Sequence, residues 1–144
     1  MNATQWQSLL TLGNDCFHDN QWQQAEYFYA EAYDILAYSY RNNPLCEQTM
    51  MAWICTCHNL SSLYEQVDNS SLALRFLTVP HNYLKEVANN SKLPNDIKLI
   101  AIKGLSITLP PILIFVKQYP LCDDCLSSFS QMESLIDHSC KTVH

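Results

Sequence analysis

Two glycines in 144 residues narrow the folds open to this chain. A β-sandwich or barrel needs a tight turn about every 8–12 residues, and glycine is the residue that makes such turns cheap. Gly13 and Gly104 do not supply them, so the chain is expected to be helical. The apolar pattern agrees. Trp6, Leu9, Leu10, Leu12 and Cys16 recur at helical spacing, as do Met50, Trp53, Ile54, Cys57, Leu60 and Tyr64. With 48% apolar and 15% charged residues, the chain has enough apolar surface to bury a core in one domain, taken as residues 1–144.

The punctuation predicts helices over residues 4–17 and 22–41, with His18-Asp19-Asn20-Gln21 as the turn and Asn20 suited to a left-handed conformation. Asn42-Asn43-Pro44 ends the second helix. A third helix is expected over 46–65. A turn at 67–69 follows, with Asn69 or Ser70 as cap. The fourth helix runs from 71 to 89, kinked or split by Pro80 near Thr78. A fifth is expected from Pro94 or Asn95 to Thr108, then a short apolar helix from Pro110-Pro111 to about Gln118, and a last one within 122–141.

Within the first pair, Leu9, Leu12, Gly13 and Cys16 are followed by Ala25, Tyr29 and Ala32. This stretch resembles one unit of the tetratricopeptide repeat (TPR) family, with Leu9 in place of the usual Trp and Cys16 in place of the usual Tyr. Residues 4–41 match best. Degenerate hairpins are expected over about 46–89 and 94–141, with Gly13, Leu60 and Gly104 as equivalent points. The resemblance implies an all-α fold: antiparallel hairpins stacked as a short α-solenoid, closed by a C-terminal capping helix. It extends to a small group of uncharacterised bacterial TPR-like proteins. It also implies that Gly13, Ala25 and Ala32 are small because adjacent helices press together there, with Tyr29 filling the space between them.

In TPR proteins the first helix of each hairpin lines a concave peptide groove. The resemblance therefore places Asn14, Phe17 and His18 on that face in the first unit, and Ser61, Tyr64 and Glu65 in the second. Asn14 would hydrogen-bond a peptide backbone, and Phe17 and Tyr64 would supply rigid contact area. The lysine and arginine residues with which one TPR subclass clamps a carboxylate are missing from these positions. The implied role is non-enzymatic binding of a protein or peptide, with self-association into a homodimer as a competing use of the surface. The run Tyr27, Phe28, Tyr29, Tyr33, Tyr38 and Tyr40 reads as helix-packing material.

Cys122, Cys125, His138 and His144 have the spacing of a C2H2 zinc finger, with Phe129 and Leu135 at that family's core positions. Zinc is therefore the alternative cofactor, and a zinc-binding accessory protein the alternative function. Against it, Leu126, Phe129, Met132, Leu135, Ile136, Cys140 and Val143 also fall on one side of a helix, which is the preferred reading. Cys55-Thr-Cys57-His58 holds two thiols that a helix points in different directions.

A formal charge of −6 argues against nucleic acid as a partner and is compatible with a basic one. Seven cysteines, an odd number, and an opening Met-Asn-Ala-Thr-Gln-Trp with neither a basic start nor an apolar core predict a reduced, cytoplasmic protein. The apolar stretch 99–116 carries Lys103 and is interrupted by Pro110-Pro111, so no membrane span is expected. No phosphate-binding glycine loop, nucleophile elbow or paired-carboxylate motif is evident, and no enzymatic activity is expected.

Overall fold

The computed structural model describes residues 3–119. It contains α1 (Ala3–His18), α2 (Trp22–Asn42), α3 (Glu47–Gln66), α4 (Ser70–Ala88) and α5 (Asn95–Gln118), and no strand among the described residues. Each helix packs on the one before it, and α5 also reaches α3. The result is two hairpins, α1–α2 and α3–α4, stacked in chain order with α5 laid against the second. The capping helix expected in 122–141 lies outside the described residues.

Both hairpins turn without glycine. Asn20 and Asp68 each take φ of 60°. Around them the same pair of bonds closes the preceding helix: Gln21 N–H to the Cys16 carbonyl and Asn20 N–H to Phe17, then Asn69 N–H to Tyr64 and Asp68 N–H to Glu65. This is the Schellman termination, and only a residue that tolerates a left-handed backbone can sit at its centre. The Asn69 side chain then accepts the Leu72 N–H and caps α4.

Every position in the second hairpin therefore lies 48 residues after its counterpart, as Asp68 follows Asn20. Helix α2 buries Ala25, Tyr29, Ala32, Leu36 and Tyr40, and α4 buries Ala73, Leu77, Pro80 and Leu84 at the same spacing. In the first hairpin a Cβ on Gly13 would lie 2.6 Å from Tyr29 Cε1, so the backbone of α1 touches the ring directly. The counterpart of Gly13 is Ser61, not Leu60. Its side chain is small enough for α3 to approach α4, and its hydroxyl donates to the Ala73 carbonyl at 2.7 Å. Gly104 is not equivalent either. A Cβ there would meet Leu84, Met50 and Ile54, on the side of α5 that faces α3 and α4.

The largest core cluster lies between α2, α3, α4 and α5, around Leu36, Tyr40, Met50, Trp53, Ile54, Leu84 and Ala101. Tyr40, Trp53 and Tyr83 meet ring to ring within it, with centroids 5.6–5.9 Å apart, and the Arg41 guanidinium lies over Tyr83.

Three expectations change. Pro80 does not split α4, and Pro110-Pro111 do not divide α5, which runs unbroken for 24 residues. By length and hydropathy (2.1) α5 is consequently long and apolar enough to cross a membrane. The proline break gives no reason to exclude that. Leu12, expected in the core, is 46% exposed, whereas its counterpart Leu60 is buried. Leu60 packs in a cluster with Ala25 and Tyr29 of the first hairpin.

Candidate functional site

The residues expected on a groove fall into three groups. Phe17 and Tyr64 belong together: both are half-buried against one cluster formed by Ala25, Tyr29, Leu60 and Leu63. Phe17 meets Trp22 edge to face at 5.2 Å across the first turn. Tyr64 stacks on Phe76 at 5.6 Å. The Tyr64 hydroxyl donates to Glu26 Oε2 at 2.5 Å, tying α3 to α2. Burial, together with that carboxylate, raises the phenol's pKa well above its ordinary value, so it remains a donor.

Asn14 and His18 are exposed on α1. Asn14 Oδ1 accepts the hydroxyl of the buried Tyr29 at 2.6 Å, which fixes the orientation of the amide. His18 stands beside Phe17, ring centroids 6.1 Å apart. Glu65 is half-buried and is the counterpart of Phe17 in the second hairpin.

Ser61 is the exception. It is 2% exposed and bonded to α4, so it faces no groove. The correction has a physical cause. The close-approach position of a helix pair is a one-residue feature, and placing it at Leu60 rather than Ser61 rotates every assigned face by about 100°.

Helix α2 carries a further surface that the sequence reading assigned to packing. Tyr29 and Tyr40 are indeed buried, but Tyr27 and Tyr38 are 61% and 62% exposed. With Glu31 and Asp34, also exposed, they form one outward stripe at positions 27, 31, 34 and 38. Helical spacing was the available signal, since residues four and seven apart share a face. Across residues 3–42 the carboxylates Asp15, Asp19, Glu26, Glu31 and Asp34 stand against one cation, Arg41, apart from the histidine. A shallow, open depression lined by Gln21, Trp22, Gln23 and Gln24 lies at the start of α2.

The thiols divide by environment. Cys57 is fully buried, and burial pushes its pKa up strongly. Cys55, two residues away, is exposed, so the two sulfurs do face apart. Cys46 precedes the first turn of α3 without a side-chain cap bond, and the Thr49 hydroxyl, 3.0 Å from Sγ, heads the causes that lower its pKa. Among the described residues no three His, Cys, Asp or Glu side chains sit close enough to hold a metal ion. Cys122, Cys125, His138 and His144 lie outside those residues.

These features define an all-α protein of stacked helix hairpins with an acidic, aromatic-lined first hairpin. The chain belongs to the family described as "Protein of unknown function (DUF2753)", whose model matches residues 4–143. No curated protein and no solved structure matches it.

Proposed function

We propose that this chain is a non-enzymatic interaction module of the cytoplasm, a short TPR-like array that binds a basic peptide or a basic segment of a partner protein. One observation carries the reading. Phe17 and Tyr64 are the half-exposed edges of one apolar cluster, and the Glu26 carboxylate is held in place by the Tyr64 hydroxyl. Rings of this kind offer contact area at little entropic cost, and a carboxylate fixed at the Tyr64 hydroxyl suits a lysine or arginine whose stem lies along the rings.

The acidic character of the whole first hairpin adds long-range attraction for a cationic partner. Asn14, oriented by Tyr29, presents its amide to a peptide backbone, and His18 borders the same end of α1. The recurrence of the Schellman turn and of the buried α2 spacing in α4 supports the repeat character on which the TPR likeness rests.

Fluorescence polarisation of labelled Lys/Arg-rich and Asp/Glu-rich peptides against the full chain tests this. Basic peptides should bind, with affinity falling as salt rises. Phe17→Ala and Glu26→Gln should each weaken that binding by about tenfold, the cost of one anchor contact, with the unfolding midpoint of Glu26→Gln close to wild type. Equal binding of both peptide classes, or indifference to both substitutions, contradicts the proposal.

A further inference from the structure

Helix α2 turns one side to the core through Ala25, Tyr29, Ala32, Leu36 and Tyr40. The opposite side carries Tyr27, Glu31, Asp34 and Tyr38, all exposed, at i, i+4, i+7 and i+11. The stripe follows the helix axis for about 16 Å, or roughly three turns. A ring stands at each end and the two carboxylates lie between.

The second hairpin shows what the fold itself requires of this side. The counterparts, 48 residues on, are Arg75, Val79, Asn82 and Glu86, and α4 forms without an aromatic residue among them. Tyrosine is also a weaker helix former than arginine or glutamate. Neither packing nor helix formation therefore calls for Tyr27 and Tyr38 on a face turned to water. The Tyr27 ring is moreover held, edge to face on Phe28 with centroids 5.5 Å apart.

The charges point the same way. A helix face that meets only water gains from opposite charges three or four residues apart. Glu31 and Asp34 are like charges three apart. Among the described residues the one ion pair joins Lys103 to Glu47 and engages neither of them. The single cation of α2, Arg41, lies over the Tyr83 ring of α4 instead.

We propose that the outer face of α2 is a docking surface for a basic amphipathic helix of a partner protein. One helix face is a ridge, with neither the groove nor the sheet edge that holds an extended peptide. A second helix can lie along it over its whole length. The stripe specifies its complement: apolar, basic, basic and apolar residues at the same i, i+4, i+7 and i+11 spacing. The basic pair meets Glu31 and Asp34, and the apolar residues pack on the two rings. Glu26 is turned about 100° from Tyr27 and bonded to Tyr64. The surface is thus separate from the one at Phe17 and Tyr64 and does not depend on it.

Amide shifts of the isotope-labelled full chain test the proposal. The probes are an alanine-based helical peptide with Leu, Arg, Arg and Leu at that spacing, and its counterpart with Glu for Arg. The Arg peptide should move the amides of residues 27–38 saturably, less at high salt, and the Glu peptide should not. Tyr27→Ala with Tyr38→Ala, and separately Glu31→Gln with Asp34→Asn, should each weaken that response at least about tenfold. All four side chains are exposed, so these variants should fold as the wild type does. Movement at 27–38 with none around Phe17 and Tyr64 supports this surface and removes the groove reading. Four results overturn the proposal: movement confined to the amides around Phe17 and Tyr64; equal response to both peptides; indifference to both double substitutions; or movement of 27–38 on concentrating the protein alone, which signals a second copy.

Discussion

Gly13 and Gly104 are both buried helix glycines, yet their environments differ in a way that sets opposite mutational outcomes. A Cβ at Gly13 meets the Tyr29 ring at 2.6 and 2.7 Å, and Tyr29 is buried with its hydroxyl anchored on Asn14. The ring has nowhere to swing. A Cβ at Gly104 meets the ends of flexible side chains, Leu84 Cδ1 at 2.7 Å and Met50 Sδ at 3.1 Å, which can turn aside. Replacing a helix-interior glycine by alanine brings about 1 kcal/mol from backbone entropy, and overpacking a rigid contact costs about 1–3 kcal/mol. Gly13→Ala should therefore lose about 1 kcal/mol or more in urea unfolding, whereas Gly104→Ala should be close to neutral. Equal losses at both sites would show that the Tyr29 ring is not a fixed wall.

Single residues also mark where sequence reading succeeds and where it stops. Asn20 in the left-handed region, Asn69 as a cap, and the small Ala25 and Ala32 follow from what those residue types tolerate, and the structure has them in those roles. Ser61 was assigned to a groove because periodicity places a residue on a helix without saying which neighbour occupies that side. Leu12 has the composition of a core residue, yet it is 46% exposed, because apolar spacing does not say which neighbour covers a side.

At the scale of elements, the prolines were the main misreading. An interior proline costs a helix about 3 kcal/mol, which is why Pro80 and Pro110-Pro111 read as breaks. Helices α4 and α5 continue through them because they pack along each other, burying Leu77, Leu84, Ile112 and Phe115, and each such side chain contributes about 1.5–3 kcal/mol. The same interface holds a polar pair. His81 and Thr108 are fully buried, Nδ1 and Oγ1 lie 2.8 Å apart, and Nε2 has no partner among the described residues.

Burial, helped by the charge of Lys85, lowers the pKa of His81 to about 4, from 6.5 in an unfolded chain. Between those values the unfolded state takes a proton that the folded state refuses. The contribution is complete above pH 6.5 and is lost as pH falls towards 4, by up to about 1.4 kcal/mol per pH unit for one proton. Urea midpoints measured from pH 7 to pH 4.5 should fall more steeply for the wild type than for His81→Gln. Parallel curves would mean that His81 is hydrated in the folded state.

For the whole molecule, the architecture was legible and the surface much less so. Helix boundaries in α1 to α3 agree with expectation to within a residue, because turn residues and apolar spacing are local properties. Which aromatic rings stay exposed is a property of stacking. Tyr27 and Tyr40 look alike in the sequence and end on opposite sides of α2. The stack also gives each part of the chain a distinct character, acidic and aromatic in the first hairpin, basic and apolar in α5.

The account rests on helices that meet in chain order at Gly13 and at Gly104. Nuclear Overhauser contacts in the isotope-labelled full chain measure this directly. The account predicts cross-peaks from the Gly13 Hα protons to the Tyr29 ring and from the Gly104 Hα protons to the Leu84 methyls. Glycine resonances that show neither contact in a folded, helical sample would contradict it.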